Sequence, residues 1–456
     1  MTRTIFAMFF TILLTIGFAQ QPLSLNMEEA VKIALQRNVP LQQSKNNLET
    51  SENQVKSAYG GLLPTLSASS GFSWALSEDE GGVITVGGIS FPVPKTSAQS
   101  RSYSASVSSG LTLFDGLSNF ATIGQSKSNY ESDRYRLERL KQDIVFQTQT
   151  KYFGVLKSLR LLAVQEENLK WNNKSLETIT ERNRVGQITL ADVYQQQVNF
   201  GNSELLVIQA RNNYENAKND LISFLSLDVA KDYVLIDADA LATIDTVEYK
   251  KLEREFTDFE KLIETAFENR VDYFARQLDL QSYDYAITIA RSGHLPRLTG
   301  SLSASIRANS FSSLTSLDSR TYIAGLNLSI PIFNGWLTSN RVQFAEVNYK
   351  NAELGISELE RTIKVNLKKA SLDLQAAKKK LDVNNKNVIA AKENLRINEE
   401  KYSLGSGTLL NLLIANSQFT QAQGELINST FDYLLIRKQM EYYLGILEYK
   451  SFDVKE

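Results

Sequence analysis

The sequence predicts a mainly α-helical, internally duplicated chain in which four membrane-crossing β-strands contribute to a barrel and long antiparallel helices continue from it. Three observations carry this fold class. The two halves of the chain repeat one another, with Ala34, Val39 and Pro64 recurring 232 positions later as Ala266, Val271 and Pro296. Four segments alternate apolar and small polar residues with a period of two, the pattern of a strand with two unlike faces. Two stretches, 117–184 and 337–402, hold none of the seven prolines and almost no glycine, so nothing in them breaks a helix.

The N-terminus reads as a secretory signal peptide over 1–19. Arg3 supplies a positive start, 5–18 is mostly apolar, and Gly17-Phe18-Ala19 sets small residues before a cleavage point after Ala19. The apolar run is shorter than the roughly 20 residues that span a bilayer as a helix. No later stretch is long and apolar enough to do so, and membrane insertion therefore falls to strands. Of 49 basic residues only Arg3 lies in the signal, and the rest nearly balance 51 acidic ones. No basic arm or acidic tail calls for a nucleic-acid partner. With no cysteine there is no disulfide framework, thiolate nucleophile or lipid-accepting residue, and the one histidine, His294, ends a helical pattern and reads as structural. No catalytic grouping, cofactor motif or metal-ligand spacing emerges.

The first repeat occupies 20–225. Short helices at 27–38 and 41–62 precede a strand at about 65–77, in which Leu66, Ala68, Phe72, Trp74 and Leu76 alternate with Ser67, Ser69, Gly71, Ser73 and Ala75. A second strand at about 102–114 sets Tyr103, Ala105, Val107, Leu111 and Leu113 against Ser104, Ser106, Ser108, Gly110 and Thr112. Segments of about ten residues suit tilted strands crossing a membrane, and a face of small hydroxyls leaves room for a water-filled lumen. Between these strands the first half is 13 residues longer than the second. That longer loop carries Glu78, Asp79 and Glu80, read as a solvated extracellular run. The long helix over 117–184 would extend roughly 100 Å at 1.5 Å per residue. It ends at a turn through Gly186, and Thr189 caps a return helix over 190–225.

A linker over 226–257, with a short strand at 233–236, joins the second repeat at 258–448. Helices at 259–270 and 273–293 lead to strands at about 297–308 and 320–332. A long helix over 337–402, a turn through Gly405 and a return helix over 409–447 complete this repeat, and 449–456 is a tail. Four strands cannot close a barrel, since the smallest membrane barrels have about eight and an open edge cannot face lipid. Closure requires more than one chain. Residues alone do not say how many.

With these elements in duplicated order, the chain resembles the TolC family of outer membrane factors over essentially its whole mature length. The matching phrases are Leu63-Pro64-Thr65-Leu66 and Leu295-Pro296-Arg297-Leu298 where strands start, and Leu113-Phe114-Asp115-Gly116 and Ile332-Phe333-Asn334-Gly335 where strands end. Val185-Gly186 with Asp192-Val193, and Tyr402 with Gly405, match at the helix turns. The resemblance implies a homotrimer with a shared twelve-stranded barrel in outer-membrane lipid and an α-helical periplasmic tunnel. It implies passive export in a tripartite efflux or type I secretion system, through a periplasmic adaptor (a membrane fusion protein) to an inner-membrane RND or ABC pump. Adaptor docking carries over to Arg184, Val185, Gly186, Tyr402, Leu404 and Gly405, and the periplasmic aperture to Asp192, Asn411, Leu413 and Ile414. The acidic ring that family members carry after the second turn is absent, because Asn411 and Ile414 stand there. Asp192 either lines a weaker cation-attracting ring or is solvated on its helix. The gate then leans on Leu412, Leu413 and Ile414. A non-conducting periplasmic spacer or adhesin is the competing reading. The cargo and the pump class are not legible.

Overall fold

The computed structural model describes residues 23–236, 258–315 and 320–452. The signal peptide, most of the linker and the last four residues of the tail lie outside the described residues. The chain forms two compact units, one of 1–41, 140–269 and 365–456, the other of 42–139 and 270–364. Each unit draws on both sequence repeats. The units therefore cut across the duplication, because segments of one half pair with segments of the other.

The unit of 42–139 and 270–364 is built on a four-stranded antiparallel sheet. Its strands are β2 (Thr65–Asp79), β5 (Thr96–Phe114), β7 (Arg297–Ala308) and β8 (Arg320–Ser329), hydrogen-bonded in the order β2-β5-β7-β8. Equivalent helices, α2 (Val39–Gly60) and α6 (Val271–Ser292), lead into β2 and β7. The halves of the repeat join where Val107 pairs with Ala304 and Ala105 with Ile306. Register fixes the two faces. Leu66, Phe72, Trp74, Val107, Leu302, Tyr322, Leu326 and Leu328 share one face and stay exposed in the single chain. The opposite face is a field of serines, with the Ser67 and Ser108 hydroxyls 2.8 Å apart and those of Ser69 and Ser106 also 2.8 Å apart. β2 and β8 are both open edges.

β2 and β5 run longer than their alternation predicts, so Glu78 and Asp79 lie inside β2 rather than in a loop. The connection between them is itself ordered as a hairpin of β3 (Gly82–Val86) and β4 (Ile89–Val93). Period-two reading misses it because Val83, Ile84 and Val86 interrupt the alternation with adjacent apolar residues.

Strand exits repeat in detail. Gly116 and Leu117 have φ of 71° and 72°, and Gly335 and Trp336 have φ of 65° and 66°. A side chain at Gly116 would stand 2.8 Å from Leu295 Cβ, so both close approach and left-handed backbone require glycine there. The Asp115 carboxylate accepts from the Asn119 N–H at 2.9 Å, satisfying one of the orphan donors at the start of α3 (Ser118–Arg184).

In the other unit, α1 (Met27–Arg37) begins with a capping box of Asn26 and Glu29 and buries Ala30, Val31, Ala34 and Leu35. Its counterpart in the second repeat, α5 (Phe259–Asn269), buries Leu262 and Ala266. β1 (Leu23–Leu25) pairs in parallel with β6 (Tyr233–Leu235). The buried Tyr152 hydroxyl donates to Leu25 O at 3.1 Å and to Ile236 O at 2.9 Å, tying α3 to that pair. α7 (Leu337–Ser403) buries Leu367, Ala370, Ala377, Leu381, Asn384 and Leu395 at steps of three and four residues and their sums, the seam of a coiled coil. It packs along α8 (Leu409–Leu444), where Ala377 and Leu381 meet Tyr433, Leu426 and Ile436. α4 (Leu190–Phe224) buries Gln196, Ser203 and Val207 but leaves Tyr194, Val198, Leu205 and Ile208 more than half exposed. Among the described residues no helix is long and apolar enough to cross a membrane.

Candidate functional site at the helix turns

The two helix turns share one backbone solution. At the first, Gln187 N–H donates to Arg182 O at 2.9 Å and Gly186 N–H to Asn183 O at 2.9 Å. At the second, Ser406 N–H donates to Lys401 O at 2.9 Å and Gly405 N–H to Tyr402 O at 3.2 Å. Both are Schellman closures, which need a left-handed residue just past the helix. Gly186 and Gly405 supply it with φ of 75° and 72°. Space around both is open, so backbone conformation alone demands glycine.

The return helices start differently. Thr189 accepts from Asp192 N–H at 3.3 Å, and the Asp192 carboxylate accepts from Thr189 N–H at 3.2 Å and from its hydroxyl at 2.8 Å. This is a full capping box. Thr408 accepts from Asn411 N–H at 3.2 Å in the corresponding place. The Asp192 carboxylate thus has structural work at the start of α4 whatever else it does.

The residue that joins the turns is Arg182. Its guanidinium donates to Tyr402 O at 3.3 Å and Ser403 O at 3.4 Å, and stands 5.4 Å from the Tyr402 ring centre. A cation on the last carbonyls of a helix opposes the helix dipole favourably. Arg184, expected at the docking surface, pairs with Glu181 on its own helix and is largely exposed.

Tyr402 is half-buried against a core of Leu395, Leu412 and Ala415, on which Trp171 and Phe419 also pack. Among the described residues its buried hydroxyl has no hydrogen-bond partner. Burial raises its phenol above the usual range, the negative charge of Asp192 adds to the rise, and Arg182 opposes it. Trp171 Nε1 donates to Glu399 at 2.8 Å beside this cluster.

The three apolar residues expected to gate separate by helix phase. Leu412 is buried in its own chain's core at 5% exposure, Leu413 is half-buried, and Ile414 is exposed. Leu412 therefore holds α8 to α7 and is not free to line an opening. Asn411 lies on the exposed side with Ile414, and Val185 and Leu404 stand out from the turns at 59% and 82% exposure.

A ladder of buried amides above the turns leaves no mark in the sequence periodicity. The Asn168 side-chain oxygen accepts from Asn172 at 3.1 Å and from Asn416 at 2.9 Å, and Gln196 donates to the Asn172 side chain at 3.1 Å. It fixes α3, α4 and α8 in one register, since sliding any helix would strand buried polar groups.

Known sequences decide what this architecture is. The family described as Outer membrane efflux protein matches residues 30–226 and 262–445, the two halves of the repeat. The chain belongs to the outer membrane efflux protein family. Outer membrane protein TolC of Salmonella enteritidis is 23% identical over 452 residues, covering 94% of this chain and 84% of that protein. Outer membrane protein TolC of Escherichia coli (strain K12) is 22% identical with the same coverage. The fold of the Campylobacter jejuni CmeC outer membrane channel superposes with a TM-score of 0.76 at 18% identity, covering 93% of this chain and 86% of that one. CusC gives 0.77 at 15% identity, covering 92% of each chain. Membership in this family makes the chain an outer-membrane efflux channel, a transport protein with strands in the outer membrane and a helical tunnel in the periplasm. It gives no support to a non-conducting spacer or adhesin.

Proposed function

We propose that three copies close the channel and that the helix turns receive a periplasmic adaptor coupled to an inner-membrane RND or ABC pump. The observation that carries the assembly is the unfinished surface of the single chain. The sheet ends in two open edges, β2 and β8, which lipid cannot satisfy. α4 also presents Tyr194, Val198, Leu205 and Ile208 in a second seam at coiled-coil spacing. Three copies give twelve strands, and the serine face then lines an open lumen. Native mass spectrometry with planar-bilayer recording tests this. A trimer with stable conductance is expected, and a detergent-stable monomer without conductance would refute it.

Docking rests on the exposed Val185 and Leu404 beside Gly186 and Gly405, with Arg184 and Tyr402 flanking them. Asp192, Asn411, Leu413 and Ile414 surround the periplasmic aperture in this reading. Gly186→Leu with Gly405→Leu places bulk in open space at a backbone strain of roughly 1–2 kcal/mol each. The trimer should still form while pump-driven export stops. Normal export in that double variant would remove the docking site from the turns.

A further inference from the structure

Among the described residues the hairpin of β3 and β4 has no counterpart in the second repeat. Cross-strand pairing puts Val86 opposite Ile89, Ile84 opposite Phe91 and Gly82 opposite Val93, all on one face. The other face holds Val83 opposite Pro92 and Thr85 opposite Ser90, whose hydroxyls lie 3.1 Å apart. Ile84, Val86, Ile89 and Phe91 are each more than half exposed. Gly87 and Gly88, with φ of 63° and 86°, make the tight turn. A free two-stranded hairpin is marginal in water, so this apolar face needs a cover.

Lipid is a poor cover. The outward face carries an aromatic band, where Phe72 and Tyr103 ring centres are 4.8 Å apart and Trp74 stands opposite Arg101, and we read it as the girdle at the upper membrane boundary. Glu78, Asp79 and Glu80 come after Trp74 and before the hairpin begins at Gly82, and Lys95 pairs with Glu80 at 3.7 Å on the returning side. Five further residues of β2, to Asp79, carry the chain roughly 17 Å past Trp74 before the hairpin begins. This charged collar resists entry into the acyl region.

A second copy is favoured by continuity. β2 is an edge of the sheet, and in the three-copy reading the strand that completes it belongs to a neighbouring copy. The hairpin that continues from β2 therefore rises from the seam between copies. We propose that the apolar hairpin faces of the copies pack against one another over the outer mouth, forming a shared external lid. This rests on the three-copy reading, and its test separates the two.

The chain has no cysteine, so single substitutions report without background. Ile84→Cys and Ile89→Cys test the apolar face, and Thr85→Cys and Ser90→Cys the hydroxyl face. Each is oxidised with copper phenanthroline in proteoliposomes after native mass spectrometry has read the oligomer. Covalent dimers are expected from positions 84 and 89, reaching up to about two-thirds of the chains, the ceiling for one disulfide in a ring of three. Positions 85 and 90 should give few. Trimers that cross-link at neither 84 nor 89, or equally on both faces, overturn the lid while leaving the trimer standing. A monomer removes both. Strong quenching of a fluorophore on Ile89→Cys by brominated acyl chains would assign the face to lipid and also overturn the lid. Deleting 82–93 should raise conductance without changing the oligomer, and unchanged conductance counts against the lid.

Discussion

Replacing Arg182 with alanine isolates the contact that joins the two turns. The guanidinium makes two hydrogen bonds, at 3.3 and 3.4 Å, and one ring contact at 5.4 Å. Hydrogen bonds from a charged donor contribute about 1.5–3 kcal/mol when well formed. These are long and partly solvated, so about 1 kcal/mol for the pair is the fair figure. The contact with Tyr402 adds about 0.5–1 kcal/mol. A loss of roughly 1.5–2 kcal/mol should multiply the local opening constant about 10- to 30-fold. Global unfolding changes little, because Leu395, Leu412 and Ala415 still pack. Hydrogen exchange read by mass spectrometry on peptides spanning 398–408 measures that opening. Arg184→Ala is the control, since its exposed pair with Glu181 contributes at most about 0.5 kcal/mol. Equal exchange in wild type and Arg182→Ala, or equal acceleration in both variants, would refute Arg182 as the tie.

Asp192→Asn should abolish divalent-cation block of single-channel current if the carboxylate faces the lumen, and unchanged block would place Asp192 outside it. Asp192→Ala should in addition fray the start of α4 by about 0.5–1 kcal/mol, seen as faster exchange there, because it opens the capping box. Tyr402→Phe removes a buried hydroxyl without a partner, so stability should hold or rise by about 1 kcal/mol. The raised Tyr402 phenol makes the folded turn bind its proton longer than the unfolded chain, so wild type should lose stability as pH rises above about 10. The phenylalanine variant should lack that loss in an alkaline melting series. Asp272 is held below its ordinary range, burial opposing and Arg270 and Arg139 together overcoming it. Its contribution is present above about pH 3.8 and lost as pH falls through the depressed value, so Asp272→Asn should flatten the acid limb of that curve.

Much of the architecture was legible because it is written in local periodicity. Alternating residues such as Leu66 to Leu76 commit a segment to two unlike faces, and breaker-free runs commit a chain to helix. Gly186 and Gly405 announce turns because left-handed backbone excludes most other residues. The β3–β4 hairpin escaped because its two apolar strands are short and its partner lies only a few residues away, so no alternation had room to show. The turn site was half legible. Its backbone could be read, but that Arg182 reaches the second turn depends on which side of α3 meets α7, and even two positions along a helix rotate a side chain by about 200°.

Backbone preference and hydrophobic pattern, both local, were enough to set the duplication, the strand and helix content, the glycine turns and the need for more than one chain. Three features came instead from how the helices pack. Leu412 belongs to the chain's own core, the Asp192 carboxylate closes a cap, and Arg182 holds the turns together. These depend on helix phase and, for Arg182 and Tyr402, on partners more than 200 residues apart, which no local pattern encodes.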